Sequence, residues 1–448
     1  MKTNLIFIWE MIKTSFWFIP VIIVSSAIAL AFFLIHVDSS YSMEPIGLFD
    51  YLITEDVDSA RAILTTIAGA MLNVTSIVFS ITLVALTLAS SEYGSRMLRN
   101  FMNDRLNQTV LGTYIATFMF CLLILRVVRE GDGSTDEFIP NISIMVTLII
   151  ALANIFLLII YIHHIAVIIQ ADNIISDVSD KLNKSIENIF PTKIGKENKE
   201  QADNFLDEYI RKIPYKNYVF AQESGYLQLI NGNDLIKFAT KKDLILVIHF
   251  RPGDLIVKGS ELVQVHSSGV LEEEDAEVVR KSFVISHART PTQDSQFAIH
   301  QLVEVIARAL SPGINDPFTA ITALDKLVSN ISELADKKFP SPYRFDEGNH
   351  LRLVVKCLNF AGIVDAAFNQ VRQYGKDNPA VLIRLMEGLS IVNQFIKTKD
   401  RETIILKHAH MTMRAGEGSF TEAEDLKDLR GRYNRVLGQP PHDLTEDN

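Results

Sequence analysis

Two groups of residues in this 448-residue chain have the types and spacing to do chemistry. The first lies between residues 286 and 317. Ser286-His-Ala-Arg-Thr-Pro-Thr-Gln-Asp leads into a helical run from Ser295 to Leu310, which Ser311-Pro-Gly-Ile-Asn-Asp-Pro then breaks. Two prolines close together, with Gly313, Asn315 and Asp316, make a stiff turn of defined shape. An acid–base couple here would use His287 or His300 as base and Asp316 as the carboxylate that orients it. No nucleophile elbow, phosphate loop or metal-ligand spacing accompanies them. The preferred reading is a domain or subunit contact turn made by Arg289, Asp294, Pro312, Asn315 and Asp316, with no catalytic residue assigned and no enzyme expected. His408 and His410 stand two apart on a helical stretch, the wrong spacing for a shared metal face, and read as surface residues.

The second group lies in an apolar stretch, residues 60–90. Thr66, Asn73, Ser80 and Thr87 recur every seven residues, and Gly69, Ser76, Leu83 and Ser90 fill the alternating three–four positions. A 3.5-residue repeat puts all eight on one stripe of a helix. Such a stripe has two physical explanations. Small residues let helix backbones approach, and their hydroxyls bond across the contact. Alternatively, the stripe lines a hydrated path at the centre of an oligomer, where polar groups replace an ion's water. Asn73 bears on the choice, because its amide has more hydrogen-bonding capacity to satisfy and polar groups at that depth usually face an interior. Thr66, Asn73, Ser76, Ser80 and Thr87 are the candidate pore-lining residues. Beyond them Arg96 and Arg99, three apart on a continuing helix, could ring a mouth on the cytoplasmic side or simply anchor at headgroups.

These residues need elements to hold them. The apolar fraction of 48% and mean hydropathy of +0.18 are high for a soluble protein, and the excess sits before Asp172. Four runs are long enough for the roughly 20 residues that a spanning helix needs: about 15–36, 60–90, 109–128 and 142–169. The first is too long for a signal-peptide core and lacks a small-residue cleavage site. Thr109, Thr113 and Thr117 share one face of the third span, Asn154 is the polar residue of the fourth, and His163 and His164 lie near its inner end. The loops after spans one and three are acidic (Asp38, Glu44, Asp50, Glu55, Asp56 and Asp58; Glu130, Asp132, Asp136 and Glu137). Lys2, Lys13, Arg96, Arg99 and Arg105 fall on the other side, which places both termini in the cytoplasm.

From residue 173 the chain becomes amphipathic, with Ile174, Ile175, Val178 and Leu182 at helical spacing, and reads as a stalk and linker to about 216. Residues 217–286 look strand-like, with turns at Asn231-Gly-Asn and Arg251-Pro-Gly-Asp. Their Gly-Asp and Gly-Ser turns are similar to those of biotinyl/lipoyl-type barrel-sandwich domains, without the attachment lysine. Residues 287–437 read as mainly helical, with a strand at Leu351–Cys357, and 438–448 as a polar tail. The fold class expected is membrane α-helical, four transmembrane helices, plus a cytoplasmic α+β domain containing a small β-rich module. Two cysteines offer neither a disulfide framework nor a metal site, and a net charge of −10 argues against a nucleic-acid partner. No cofactor is expected.

The inner-loop block Leu88-Ala-Ser-Ser-Glu-Tyr-Gly-Ser-Arg-Met-Leu-Arg-Asn-Phe-Met-Asn-Asp-Arg continues in Gln108-Thr-Val-Leu-Gly-Thr-Tyr-Ile-Ala-Thr-Phe. With Arg289-Thr-Pro-Thr-Gln-Asp, Ala309-Leu-Ser-Pro-Gly-Ile-Asn-Asp-Pro-Phe-Thr-Ala and Arg372-Gln-Tyr-Gly, it resembles the bacterial membrane proteins of domain of unknown function 2254. The resemblance implies this topology, a large C-terminal soluble part and a bacterial plasma (inner) membrane, and supplies no substrate or mechanism. The expectation that follows is a homo-oligomeric channel or transport-type pore for inorganic ions in the lipid bilayer, lined by the second span and gated by the cytoplasmic domain. The alternative is a membrane-anchored sensor or scaffold whose cytoplasmic domain binds a ligand or protein.

Overall fold

A computed structural model describes residues 15–40, 56–97, 101–102, 104–130, 137–188, 215–291, 293–294 and 296–438. The chain divides into two compact units, Met1–Asn173 and Ile174–Asn448, each considered by itself.

The first unit holds four helices: α1 (Phe18–Ser40), α2 (Val57–Tyr93), α3 (Arg105–Val127) and α4 (Asn141–Ile168). All four are long and apolar enough to cross a membrane. Their boundaries are set by caps lying outside the apolar runs. Asp56 accepts from the Ser59 amide at 2.9 Å and starts α2; Asp104 accepts from the Asn107 amide at 2.9 Å and starts α3. The α4 N-cap is Pro140, which has no side-chain acceptor. Its exposed amides are satisfied from another helix: Asp38, near the end of α1, accepts from Ile142 N at 2.9 Å and from Ser143 N at 3.1 Å.

α3 lies against α1 and α2, and packing divides into two clusters. Near one end Ala31, Leu34, Ala60, Leu64, Phe120, Ile124 and Ile144 are buried together; near the other, Met71, Val78, Ala85, Val110, Tyr114, Tyr161 and Ile165. The polar groups deep in the packing are paired, as a medium without water requires, while Asn107 Oδ1 in the first turn of α3 is buried without a partner. Asn154 Nδ2 donates to Thr117 Oγ1 at 2.8 Å, Tyr114 OH to Asn154 O at 2.6 Å, and Tyr161 OH to Val78 O at 3.0 Å. Thr117 therefore belongs to this internal packing, while half-buried Thr113 donates to Thr109 O of its own helix at 2.8 Å.

The second unit begins with most of α5 (Ala171–Asn188). Ile174, Ile175, Val178 and Leu182 are buried, and Ser179 Oγ accepts from Asn330 Nδ2 at 2.9 Å, so this expected stalk contributes to the unit's core. Strands β1 (Tyr215–Phe220), β3 (Ile245–Ile248), β5 (Glu261–Ser267), β7 (Tyr343–Phe345) and β8 (Leu351–Val355) form one sheet, in the order β1-β5-β3-β8-β7. Its pairs are antiparallel except β3 with β8. β4 (Leu255–Ile256), β2 (Gly225–Ile230) and β6 (Phe283–Ser286) form a second, antiparallel sheet. Helices α6 (Gly232–Lys242) and α7 (Glu273–Arg280) interrupt the strands.

This is an open two-sheet arrangement rather than the barrel-sandwich suggested by the turns. Asn231 does not close a hairpin: its side chain accepts from the Asp234 amide at 3.2 Å and starts α6. Nor do residues 217–286 complete the larger sheet, since β7 and β8 enter it from the helical region downstream. That region contains α8 (Phe297–Ala309), α9 (Pro317–Leu334), α10 (Phe360–Gly375), α11 (Pro379–Gln394), α12 (Lys399–Ser419) and α13 (Ala423–Val436). Leu302, Ile306, Leu324, Leu327, Phe368, Leu385 and Leu389 fill its core. The expected linker over 193–213 and the polar tail beyond Gly438 lie outside the described residues.

Candidate functional site

α2 has two contrasting faces. Leu64, Ala68, Met71, Val78, Thr82, Ala85 and Ala89 are buried against the other helices of the unit. The heptad-spaced stripe lies on the other side: Thr66, Gly69, Asn73, Ser76, Ser80 and Thr87 are all exposed. Neither α3 nor α4 of the same chain covers it. A Cβ built on Gly69 meets nothing within 4 Å.

Three of the hydroxyls are satisfied within the helix. Ser76 Oγ donates to Leu72 O at 3.2 Å, Ser80 Oγ to Ser76 O at 2.8 Å and Thr87 Oγ1 to Leu83 O at 2.9 Å. Thr66 and Asn73 differ: among the described residues neither side chain has a hydrogen-bond partner, and Asn73 stands near the middle of α2. An amide facing hydrocarbon without a partner costs several kcal/mol. The site therefore presents an unpaired amide followed by the self-satisfied hydroxyls of Ser76, Ser80 and Thr87, open on the side away from its own bundle.

The stripe does not run on into a basic turn. α2 stops at Tyr93 because Gly94 takes φ +104°, a conformation open to glycine and not to a helix. Arg96 sits exposed in the 3₁₀ turn Ser95–Met97, after the end of α2 rather than on it; Arg99 lies outside the described residues. At the same end of the bundle Tyr93 OH donates to Ile169 O at 3.2 Å, and His164 Nε2 lies 3.0 Å from Asp104 Oδ2. His163, next to it, is exposed. Sequence reasoning grouped the two histidines, whereas adjacent helical positions point 100° apart.

In the C-terminal unit the expected contact turn resolves into two separate structures. Arg289 Nε and Nη2 lie 2.7 Å and 2.6 Å from Asp294 Oδ2, with Asp294 buried. Gly253, at φ +95°, closes over the pair: a Cβ there would sit 2.5 Å from Asp294 Oδ2. Arg251 Nη2 donates to Gln296 Oε1 at 2.9 Å, and Gln296 Nε2 donates to Gly362 O at 3.1 Å. The node thus joins the β2–β4 region to α8 and α10. Burial holds the Asp294 carboxyl above the usual carboxylate range, with Arg289 opposing that shift. Arg251, Gly253 and Gln296 were missed in the sequence, where Arg251-Pro-Gly-Asp registered only as a strand end.

Asp316 instead caps α9. It accepts from Thr319 Oγ1 at 2.6 Å and from the Phe318 and Thr319 amides at 3.1 Å, and these bonds hold its carboxyl below the usual range. Asn315 takes φ +51° to form the turn, and Pro312 is exposed. No hydrogen bond or ion pair among the described residues joins Arg289 and Asp294 to Asn315 and Asp316.

His408 is not on the surface. It is 1% exposed, its Nε2 lies 2.9 Å from Asp365 Oδ1, and its ring meets Phe368 edge-on; His410 is exposed and contacts Tyr433. Burial lowers the His408 pKa, with Asp365 opposing and Lys407 and Arg372 adding to the shift. A histidine depressed in the fold is protonated more readily in the unfolded chain. Its contribution to stability is therefore present above the unfolded value of about 6.5 and is lost as pH falls through the folded value. Thermal unfolding of the C-terminal unit should show stability declining below about pH 6.5, and a shallower decline in His408→Gln. An unchanged slope in the variant would assign the acid sensitivity to other groups.

Residues 13–390 match the family described as "Predicted membrane protein (DUF2254)". The chain is 28% identical over 389 residues to an uncharacterized protein of Mycobacterium tuberculosis, covering 85% of this chain and 73% of that one. An uncharacterized protein of Mycobacterium bovis matches with the same identity and coverage. No solved structure matches.

Proposed function

We propose, from the premise that the chain belongs to the DUF2254 family of predicted membrane proteins, that copies of it assemble around an axis lined by α2. The stripe of Thr66, Asn73, Ser76, Ser80 and Thr87 then faces a hydrated path for inorganic ions across a bacterial plasma membrane. The supporting observation is Asn73, an exposed amide without a partner near the middle of a helix whose buried polar neighbours are paired. Water or a second copy in that direction satisfies it; lipid does not.

In this reading the basic segment around Arg96 and Arg99 lies at the cytoplasmic mouth. The C-terminal unit, on the cytoplasmic side, assembles the ring and gates it. Ion flux into proteoliposomes tests the proposal. Wild-type protein should pass ions above the level of empty vesicles, and Asn73→Leu should reduce that flux at least tenfold. Background flux from both proteins would sink the reading.

A further inference from the structure

The C-terminal unit contains a cavity of about 530 Å³ whose lining includes Tyr218, Phe220, Gln222, Lys258, Glu273 and Arg280. That volume falls in the range of small-molecule sites. Its aromatic wall follows from the alternation of β1. Val219 is buried in the core, so Tyr218 and Phe220 share the opposite face, with ring centroids 6.3 Å apart.

The facing rim is a tight turn. Ser260 N donates to Val257 O at 2.9 Å, and Gly259 takes φ +86°, the geometry of a turn that requires glycine at its third position. Gly259 N donates to Ala221 O at 2.8 Å, and Lys258 N donates to Ser224 Oγ at 2.8 Å. These bonds fix the backbone that carries Lys258. Its ammonium has no hydrogen-bond or ion-pair partner among the described residues, and neither has the Gln222 amide.

On the third side Arg280 is held by Glu273 and Glu277, while its Nε is buried without a hydrogen bond. Glu273, on the cavity wall, balances Arg280, and neither carboxylate makes an ion pair with Lys258. Outside the lining, Lys216 stands 5.4 Å from the centre of the Tyr218 ring. The cavity therefore combines aromatic faces on one wall with an unpaired lysine on a fixed backbone turn on the other.

We propose that this cavity binds a nucleotide. A flat base stacks on Tyr218 and Phe220, an interaction that tolerates any base. A phosphate meets the Lys258 ammonium, which serves as a point charge for phosphate. The Gln222 amide remains for the sugar or base edge.

Calorimetry on the full chain in detergent, with adenosine 5′-monophosphate, adenosine and ribose 5-phosphate as probes, tests the assignment without reference to ion flux. The monophosphate should bind at least tenfold more tightly than either fragment. Lys258→Gln should weaken the monophosphate at least tenfold and leave adenosine within twofold. Tyr218→Leu should weaken both the monophosphate and adenosine, with thermal unfolding unchanged in the two variants. Absence of monophosphate binding would overturn the proposal, and so would binding that persists within twofold in both variants.

Discussion

Asp294→Ala is expected to lower the stability of the C-terminal unit by about 3 kcal/mol, the lower end of the cost of breaking a buried ion pair. The lower end applies because Arg289 keeps 22% of its side chain exposed while Asp294 keeps 3%. Removing the carboxylate leaves a half-buried guanidinium facing Gly253 with nothing to balance it. It also removes the acceptor for Gln296 N, at 3.1 Å, and so loosens the side chain that reaches Gly362. The measurement is thermal unfolding of the full chain in detergent, where a loss of this size moves the unit's transition down by roughly 10 °C. Arg289→Met in the same chain should recover more than half of the loss, because the uncompensated charge goes with it. A double variant as unstable as Asp294→Ala alone would mean that the cost arises from the cavity and the lost amide bonds, not from the charge.

That node shows where sequence reasoning stopped. Arg289 and Asp294 are five residues apart, and their pairing is a local event open to inspection. Their coupling to Gly253 is long-range, and a Pro-Gly-Asp turn carries no mark of what will rest on it. Asp316 followed the opposite course. Its place directly before Pro317 and three residues ahead of Thr319 makes a helix cap, and grouping it with Asp294 overlooked that local signal. His408 and His410 repeat the lesson: positions two apart on a helix point about 200° apart, so burial of one and exposure of the other was legible from spacing alone. The parallel pairing of β8 with β3 was not legible, since about a hundred residues of other structure separate them. In the first unit the four long apolar helices were clear from length and hydropathy. Which face of α2 its own bundle would cover was not, because a small polar stripe suits either side.

Two glycines in the first unit separate those two kinds of face. Gly112 on α3 is buried, and a Cβ there would sit 2.8 Å from Pro20 Cα and 3.1 Å from Ile23 Cδ1 of α1. The nearer obstacle is backbone, so only a shift of the whole helix can relieve it. Gly112→Ile should cost about 3 kcal/mol or more, at or above the upper end for overpacking, and should appear as a lower unfolding temperature and aggregation after detergent extraction. Gly69 on α2 meets nothing within 4 Å. Within one chain Gly69→Ile should change stability by less than about 0.5 kcal/mol, as surface substitutions do. If copies assemble around the α2 stripe, the larger side chain crowds the space between them, and ion flux should fall, with light scattering reporting any loss of particle mass. Tolerance of Gly112→Ile would contradict the α1–α3 contact. An unchanged mass and flux in Gly69→Ile would place the stripe against lipid, and the unpaired amide of Asn73 would then have neither water nor a neighbour to satisfy it.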